Sequence, residues 1–109
     1  MAAPPSFVAR AAADWHDHLL TAEEPLASFH RRCGGDLPGP IVSPALLELV
    51  RKSRQCGQKL AAAIRAQDDR DTVTMWVEVE PTAAGSTIAV SNWRSEPLRA
   101  AAPAAARKG

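Results

Sequence analysis

The stretch Thr72-Val73-Thr74-Met75-Trp76-Val77-Glu78-Val79-Glu80 decides how this chain folds. Its residues alternate strictly. Val73, Met75, Val77 and Val79 fall on one side; Thr72, Thr74, Trp76, Glu78 and Glu80 fall on the other. A two-residue period is that of a β-strand with one face buried and one face open. The segments on either side read the same way. Upstream, Lys59 to Gln67 sets Leu60, Ala62, Ile64 and Ala66 against Lys59, Arg65 and Gln67, and Asp68-Asp69-Arg70-Asp71 is a turn. Downstream, Pro81 to Gly85 is a turn, and Ser86 to Trp93 sets Ile88 and Val90 against Thr87, Ala89, Ser91 and Trp93. Three strands joined by short turns predict an antiparallel meander.

Before the meander the period changes to that of a helix. Ser43 is an N-cap residue, Pro44 suits the first helical position, and Gly57 suits a left-handed C-cap. Leu46, Leu47 and Val50 form the expected buried stripe, with Leu49 on its flank. Glu48 stands four residues before Lys52, and Arg51, Lys52 and Arg54 complement the negative end of the helix dipole. Glu23-Glu24-Pro25 opens a shorter helix through Leu26, Phe29 and Arg32, which Gly34-Gly35 ends. Leu19-Leu20-Thr21 is a short strand. At the N-terminus, Phe7, Val8, Ala11, Ala12 and Trp15 recur at helical spacing and predict an amphipathic helix over residues 7–17.

Composition bounds the rest. The chain has 109 residues, 46% hydrophobic and 23% charged, with a net charge of +1. That is the balance of one soluble domain, with no bulk charge to draw nucleic acid or an anionic membrane. No apolar run approaches the ~20 residues of a membrane span, and the N-terminus lacks the pattern of a secretory signal. A cytoplasmic chain is expected. Residues 1–6 read as a disordered N-terminus, 7–98 as the single domain and 99–109 as an alanine- and proline-rich linker or tail. The two cysteines, Cys33 and Cys56, have no ligand spacing for zinc. His16 and His18 read as solvated and His30 as a half-exposed helix histidine. No phosphate loop, nucleophile elbow or paired-carboxylate motif occurs, so neither a catalytic residue, a metal nor a cofactor is expected.

The order of elements carries a resemblance. Leu37-Pro38-Gly39-Pro40-Ile41-Val42-Ser43-Pro44 to Lys52 is similar to the loop and long helix that precede the final hairpin of PAS-type sensor domains. Met75-Trp76-Val77-Glu78-Val79-Glu80-Pro81, Gly85 and Ile88 to Trp93 resemble the last two strands. More narrowly, Pro25-Leu26 to Cys33-Gly34-Gly35, the Pro44-to-Lys52 helix, Trp76-Val77-Glu78 and Trp93-Arg94-Ser95-Glu96-Pro97 resemble the PAS-like N-terminal region of alphaproteobacterial sensor histidine kinases. The resemblance implies an α+β, PAS-like fold: a three-stranded C-terminal meander plus a short N-terminal strand, with helices packed on the sheet. It implies a non-catalytic sensory or relay module, because none of His16, His18 or His30 stands in a phosphoacceptor pattern and no ATP-binding glycine boxes follow. The alternative is a stand-alone dimerisation or adaptor domain without ligand.

On the open face, the alternation puts Trp76 and Trp93 together, with Ala61, Ala63 and Ala89 as small neighbours. Two tryptophans over alanines suit a contact surface. Three occupants are expected for it: the chain's own N-terminal helix, through Phe7, Val8, Ala11 and Trp15; a second copy; or downstream kinase helices. The inward side chains are aliphatic, so any ligand is expected to be small and apolar rather than a chromophore.

Overall fold

A computed structural model describes residues 9–68 and 70–97 of the chain. The elements run β1 (Ala9–Ala13), β2 (His18–Ala22), α1 (Leu26–Arg32), β3 (Gly39–Pro40), α2 (Pro44–Cys56), β4 (Leu60–Gln67), β5 (Asp71–Thr82) and β6 (Gly85–Pro97). The strands form one sheet in the order β3-β2-β1-β6-β5-β4, antiparallel throughout. Both helices pack on one face of it, so the fold is α+β.

The meander follows from the alternation. Ile64, Val73, Met75, Val77, Val79, Ile88 and Val90 are buried in one cluster, with Leu60, Ala62 and Ala66 packed at its margin. β5 and β6 run longer than their apolar cores suggest, because pairing extends from Asp71↔Pro97 to Thr82↔Gly85. At the second turn Gly85 has φ 148°, and a Cβ there would land on the carbonyl oxygen of Ala13. The close passage of β1 over this turn therefore requires glycine.

α2 begins and ends where its sequence sets it. The Ser43 hydroxyl accepts from the Leu46 N–H at 3.4 Å, and Gly57 closes the helix in the left-handed region at φ 66°. The fully buried stripe is Leu46, Leu49, Val50 and Ser53, so Leu49 lies deeper than Leu47, which is partly buried and packs at the margin of the core. The steps of three and four end on a serine, which hydropathy alone passes over. That serine is fully enclosed, its hydroxyl 2.7 Å from the Gln58 carbonyl and 3.3 Å from the Val79 carbonyl. It ties the end of α2 to β5.

The N-terminal helix expected over 7–17 is not formed. Residues 9–13 are β1, paired with β6 from Ala9↔Val90 to Ala13↔Ser86 and with β2 on its other side. Ala9, Ala11 and Ala13 are buried while Arg10 is exposed. Alanine fits either period, and two flanking strands with open hydrogen-bonding edges outweigh a helix propensity of tenths of a kcal/mol per residue. Trp15 lies in the β1–β2 turn, and Phe7 and Val8 lie outside the described residues, as do the expected tails 1–6 and 99–109. Residues 9–13 widen the sheet as a strand instead of forming a helix.

Trp93 is the second difference. Thr74 pairs with Arg94 but Trp76 pairs with Ser91, so β6 carries one residue more than β5 across this step. Asn92 takes up the extra residue at φ 53°, a left-handed conformation that asparagine tolerates. A bulge reverses the facing of everything beyond it. Trp93 turns to the helix side, packs against the core and meets the buried Phe29 ring edge-on, 5.7 Å between centroids.

Candidate functional site

The face of the sheet away from the helices is the candidate site. From β4 it presents Ala61, Ala63 and Arg65; from β5, Thr74, Trp76, Glu78 and Glu80; from β6, Thr87 and Ala89; from β1, Arg10 and Ala12. Trp76 is 38% exposed, which is large for an indole. Ala63 lies directly across from it on β4, and Ala61 lies across from Glu78. Glu78 on the other side faces Ala89. The sequence thus placed Trp76, Ala61, Ala63 and Ala89 together correctly, while the bulge removes Trp93 to the opposite face.

Charge on this face includes one ion pair, at Glu78. Lys59 Nζ lies 3.2 Å from Glu78 Oε1, and the Trp76 indole N–H donates to Glu78 Oε2 at 3.4 Å. Both hold the Glu78 carboxyl below its ordinary value. Beside them a shallow groove of about 330 Å³ runs over Ala89 and Thr87, with Arg10 of β1 on one side and Glu78 and Glu80 of β5, followed by Lys59, on the other. Nothing in it makes a nucleophile–base pair.

Three ion pairs, gathered on two aspartates, brace the helices rather than form a site. Asp17, in the β1–β2 turn, takes Arg54 at 2.7 Å and Arg51 at 3.0 Å. Burial raises its carboxyl, but the two guanidinium groups outweigh this and hold it below the usual range. So the basic end of α2 is partly spent on the hairpin. Trp15 joins the same contact: its indole N–H donates to the Ala83 carbonyl at 2.9 Å, and the Arg54 guanidinium lies 5.9 Å from its ring centroid. At the other end of the molecule Arg32 Nε lies 2.7 Å from Asp68 Oδ2. Burial raises Asp68 too, but Arg32 and the backbone N–H groups of Arg70 and Asp71 bring it down to about 2. Spacing in the sequence could not show these pairs, since their partners stand 34 to 37 and 36 residues apart.

The histidines do not assemble. His16 and His18 are exposed in the first hairpin, and no group of three or more His, Cys, Asp or Glu able to hold a metal occurs among the described residues. His30 is buried, not half-exposed: Nε2 lies 2.7 Å from the Asp36 carbonyl and anchors the loop after α1. Gly35 passes so close that a Cβ would sit 2.5 Å from that ring nitrogen.

Between helices and sheet, an apolar cavity lined by Leu19, Phe29, Leu46 and Met75 has a volume of about 10 Å³. That is at most one water's worth of space. The small apolar ligand expected from the sequence would need the helices to part there. A larger, open groove of about 690 Å³ lies between Val42–Ala45 and Arg65–Asp68, alongside β4. No helix among the described residues is long and apolar enough to cross a membrane. Set against family models, curated proteins and solved structures, the chain matches none.

Proposed function

We propose that this chain is a PAS-like sensory or signal-relay module of a two-component sensor histidine kinase, working in the cytoplasm and non-catalytic by itself. The observation that carries the reading is the place of β1 and β2. They supply two opening strands, inserted beside the last strand, so the order is two strands, two helices and a three-stranded meander with all helices on one face. The path for a signal is the Phe29–Trp93 contact. Phe29 sits in the helix layer; Trp93 opens the last stretch of β6, whose residues 94–97 are exposed. A shift of α1 would be felt at the end of β6, which is the two-state coupling a relay needs. Its partners in this reading are a second copy or downstream kinase helices.

The test is a chimaera with residues 1–109 fused ahead of a dimerisation-phosphoacceptor helix pair and a kinase core. Autophosphorylation is expected to change when Trp93→Leu weakens the Phe29 contact. Equal rates with the intact module, with the variant and with no module would overturn the relay reading.

A second reading has its own support. The cavity between Phe29, Leu46 and Met75 holds about 10 Å³, too little for a small molecule, which suits a dimerisation or adaptor domain without ligand. Thermal shifts by a panel of small apolar compounds would count against it.

A further inference from the structure

We infer that two copies of this chain join edge to edge through β4, in antiparallel register centred on Ala63, to make one continuous sheet. Among the described residues β4 is the last strand of the sheet and pairs with β5 alone. It runs eight residues, Leu60–Gln67, in unbroken register, with no proline, no bulge and Arg65 as its single charge. Proteins usually blunt such an edge with charges, proline, bulges or a covering segment.

The direction of its free groups follows from the turn. The Asp68 N–H donates to the Asp71 carbonyl at 3.0 Å, so Asp68 and Asp71 are a hydrogen-bonded pair. Such pairs alternate along an antiparallel ladder. Ala66, Ile64, Ala62 and Leu60 therefore bond to β5, and Ala61, Ala63, Arg65 and Gln67 turn their N–H and C=O groups outward. The Gln67 carbonyl agrees: it takes the Cys33 thiol at 3.8 Å from the side away from β5. The outward groups of Ala61, Ala63 and Arg65 have no partner among the described residues.

The side chains choose the occupant and the register. A two-fold axis at Ala63 sets Ala63 against itself and Ala61 against Arg65 of the other copy. On the open face Glu78 lies across Ala61, so Arg65 of the second copy stands two strands, about 9.5 Å, from Glu78. An arginine and a glutamate span that distance over an alanine. Among the described residues Arg65 makes no ion pair, whereas Glu78 has Lys59. Centring on Arg65 would oppose two like charges, and centring on Ala61 would shorten the ladder. The same axis brings Trp76 of each copy to the two sides of the paired Ala63 residues, which gives the exposed indoles a common apolar floor. The pairing stands on β4's geometry whether or not the relay reading holds.

Sedimentation equilibrium of the full chain across a concentration series is expected to show a monomer–dimer equilibrium. Ala63→Pro removes an N–H that serves no bond in the monomer, and proline is tolerated on an edge whose N–H faces out. It should leave the circular dichroism spectrum intact and abolish the dimer. Arg65→Glu should weaken the dimer several-fold, and adding Glu78→Arg should restore it. These charge variants keep the question open to test if the proline variant misfolds. In a Cys56→Ser background, Ala63→Cys should oxidise to a disulfide-linked dimer, since hydrogen-bonded antiparallel pairs hold Cα atoms about 5.5 Å apart. Ala61→Cys, opposite Arg65, should not. A chain that stays monomeric throughout would overturn the proposal. So would a dimer that survives Ala63→Pro, or one in which Ala61→Cys crosslinks as readily as Ala63→Cys.

Discussion

The two faces of this sheet are built from the same strands and differ in almost everything else. The helix face carries valine, isoleucine, leucine and methionine, packed under α1 and α2. The open face carries alanine, threonine, charged residues and one indole. Each residue of β5 belongs to one face or the other by parity alone. The face that buries its side chains sets stability, and the face that leaves them in water is free to meet partners. The comparison is sharpened by substitutions that differ only in which face they strike.

Phe29→Ala should have the largest effect. Phe29 is almost completely buried, packs the helix layer on the sheet and touches Trp93. Its loss is expected to cost ~3–5 kcal/mol, transfer and cavity together. For a domain with ~5–15 kcal/mol in all, that is a large fraction. Urea unfolding followed by tryptophan fluorescence reads it directly, and Trp93 should emit further to the red in the folded variant. A cost under about 0.5 kcal/mol, the range of surface sites, would mean the two faces are not as different as described.

Ser53→Ala should follow, at ~1–3 kcal/mol. It removes the one hydroxyl that serves the Gln58 and Val79 carbonyls, leaving buried acceptors without it. The same unfolding measurement applies. A neutral result would show that the end of α2 relaxes to let water reach them.

These positions show where the chain was legible. Thr72–Glu80 declared its buried face because valine and methionine alternate with polar residues and nothing else explains the pattern. Ser43-Pro44 and Gly57 declared both ends of α2 by capping chemistry that is local. Ala9–Ala13 could not declare itself: alanine has no strong period, and what makes β1 a strand is the pair of edges it meets from residues 18–22 and 86–90. Leu49 lies deeper than Leu47, the reverse of the expected order, because the stripe ends on Ser53. Trp93 was assigned to the open face because parity runs on unless a bulge intervenes, and one asparagine at positive φ is not visible as such in a string of letters. Of the candidate site, Trp76, Ala61, Ala63 and Ala89 followed from parity. The free edge of β4 did not, because edges are a property of strand order.

Asp68→Asn tests a smaller term. Asp68 is held at about 2, against an ordinary value of 3.8. A depressed carboxyl contributes stability that is complete above its ordinary value and is lost as pH falls from about 4 to about 2. The Arg32 side chain is 36% exposed, so the pair is partly screened and the variant should cost no more than about 1 kcal/mol at neutral pH. The gap between wild type and variant should close on acidification through that window. A gap that stays constant down to pH ~2 would mean Asp68 stabilises the turn through shape and not through charge.

Trp76→Ser should cost the fold least, within about 0.5 kcal/mol, measured at concentrations where the chain is monomeric. The indole packs on alanines, its one hydrogen bond is a long 3.4 Å contact to an exposed carboxylate, and serine is accommodated on an open strand face. This is the reverse of the outcome at Phe29, although both positions carry an aromatic ring on the same sheet. If Trp76→Ser instead lowers monomer stability by more than about 1 kcal/mol, the indole is anchoring the open face from within the chain. The face would then be a second packed layer and not a free one, and its exposure would be no argument for a partner.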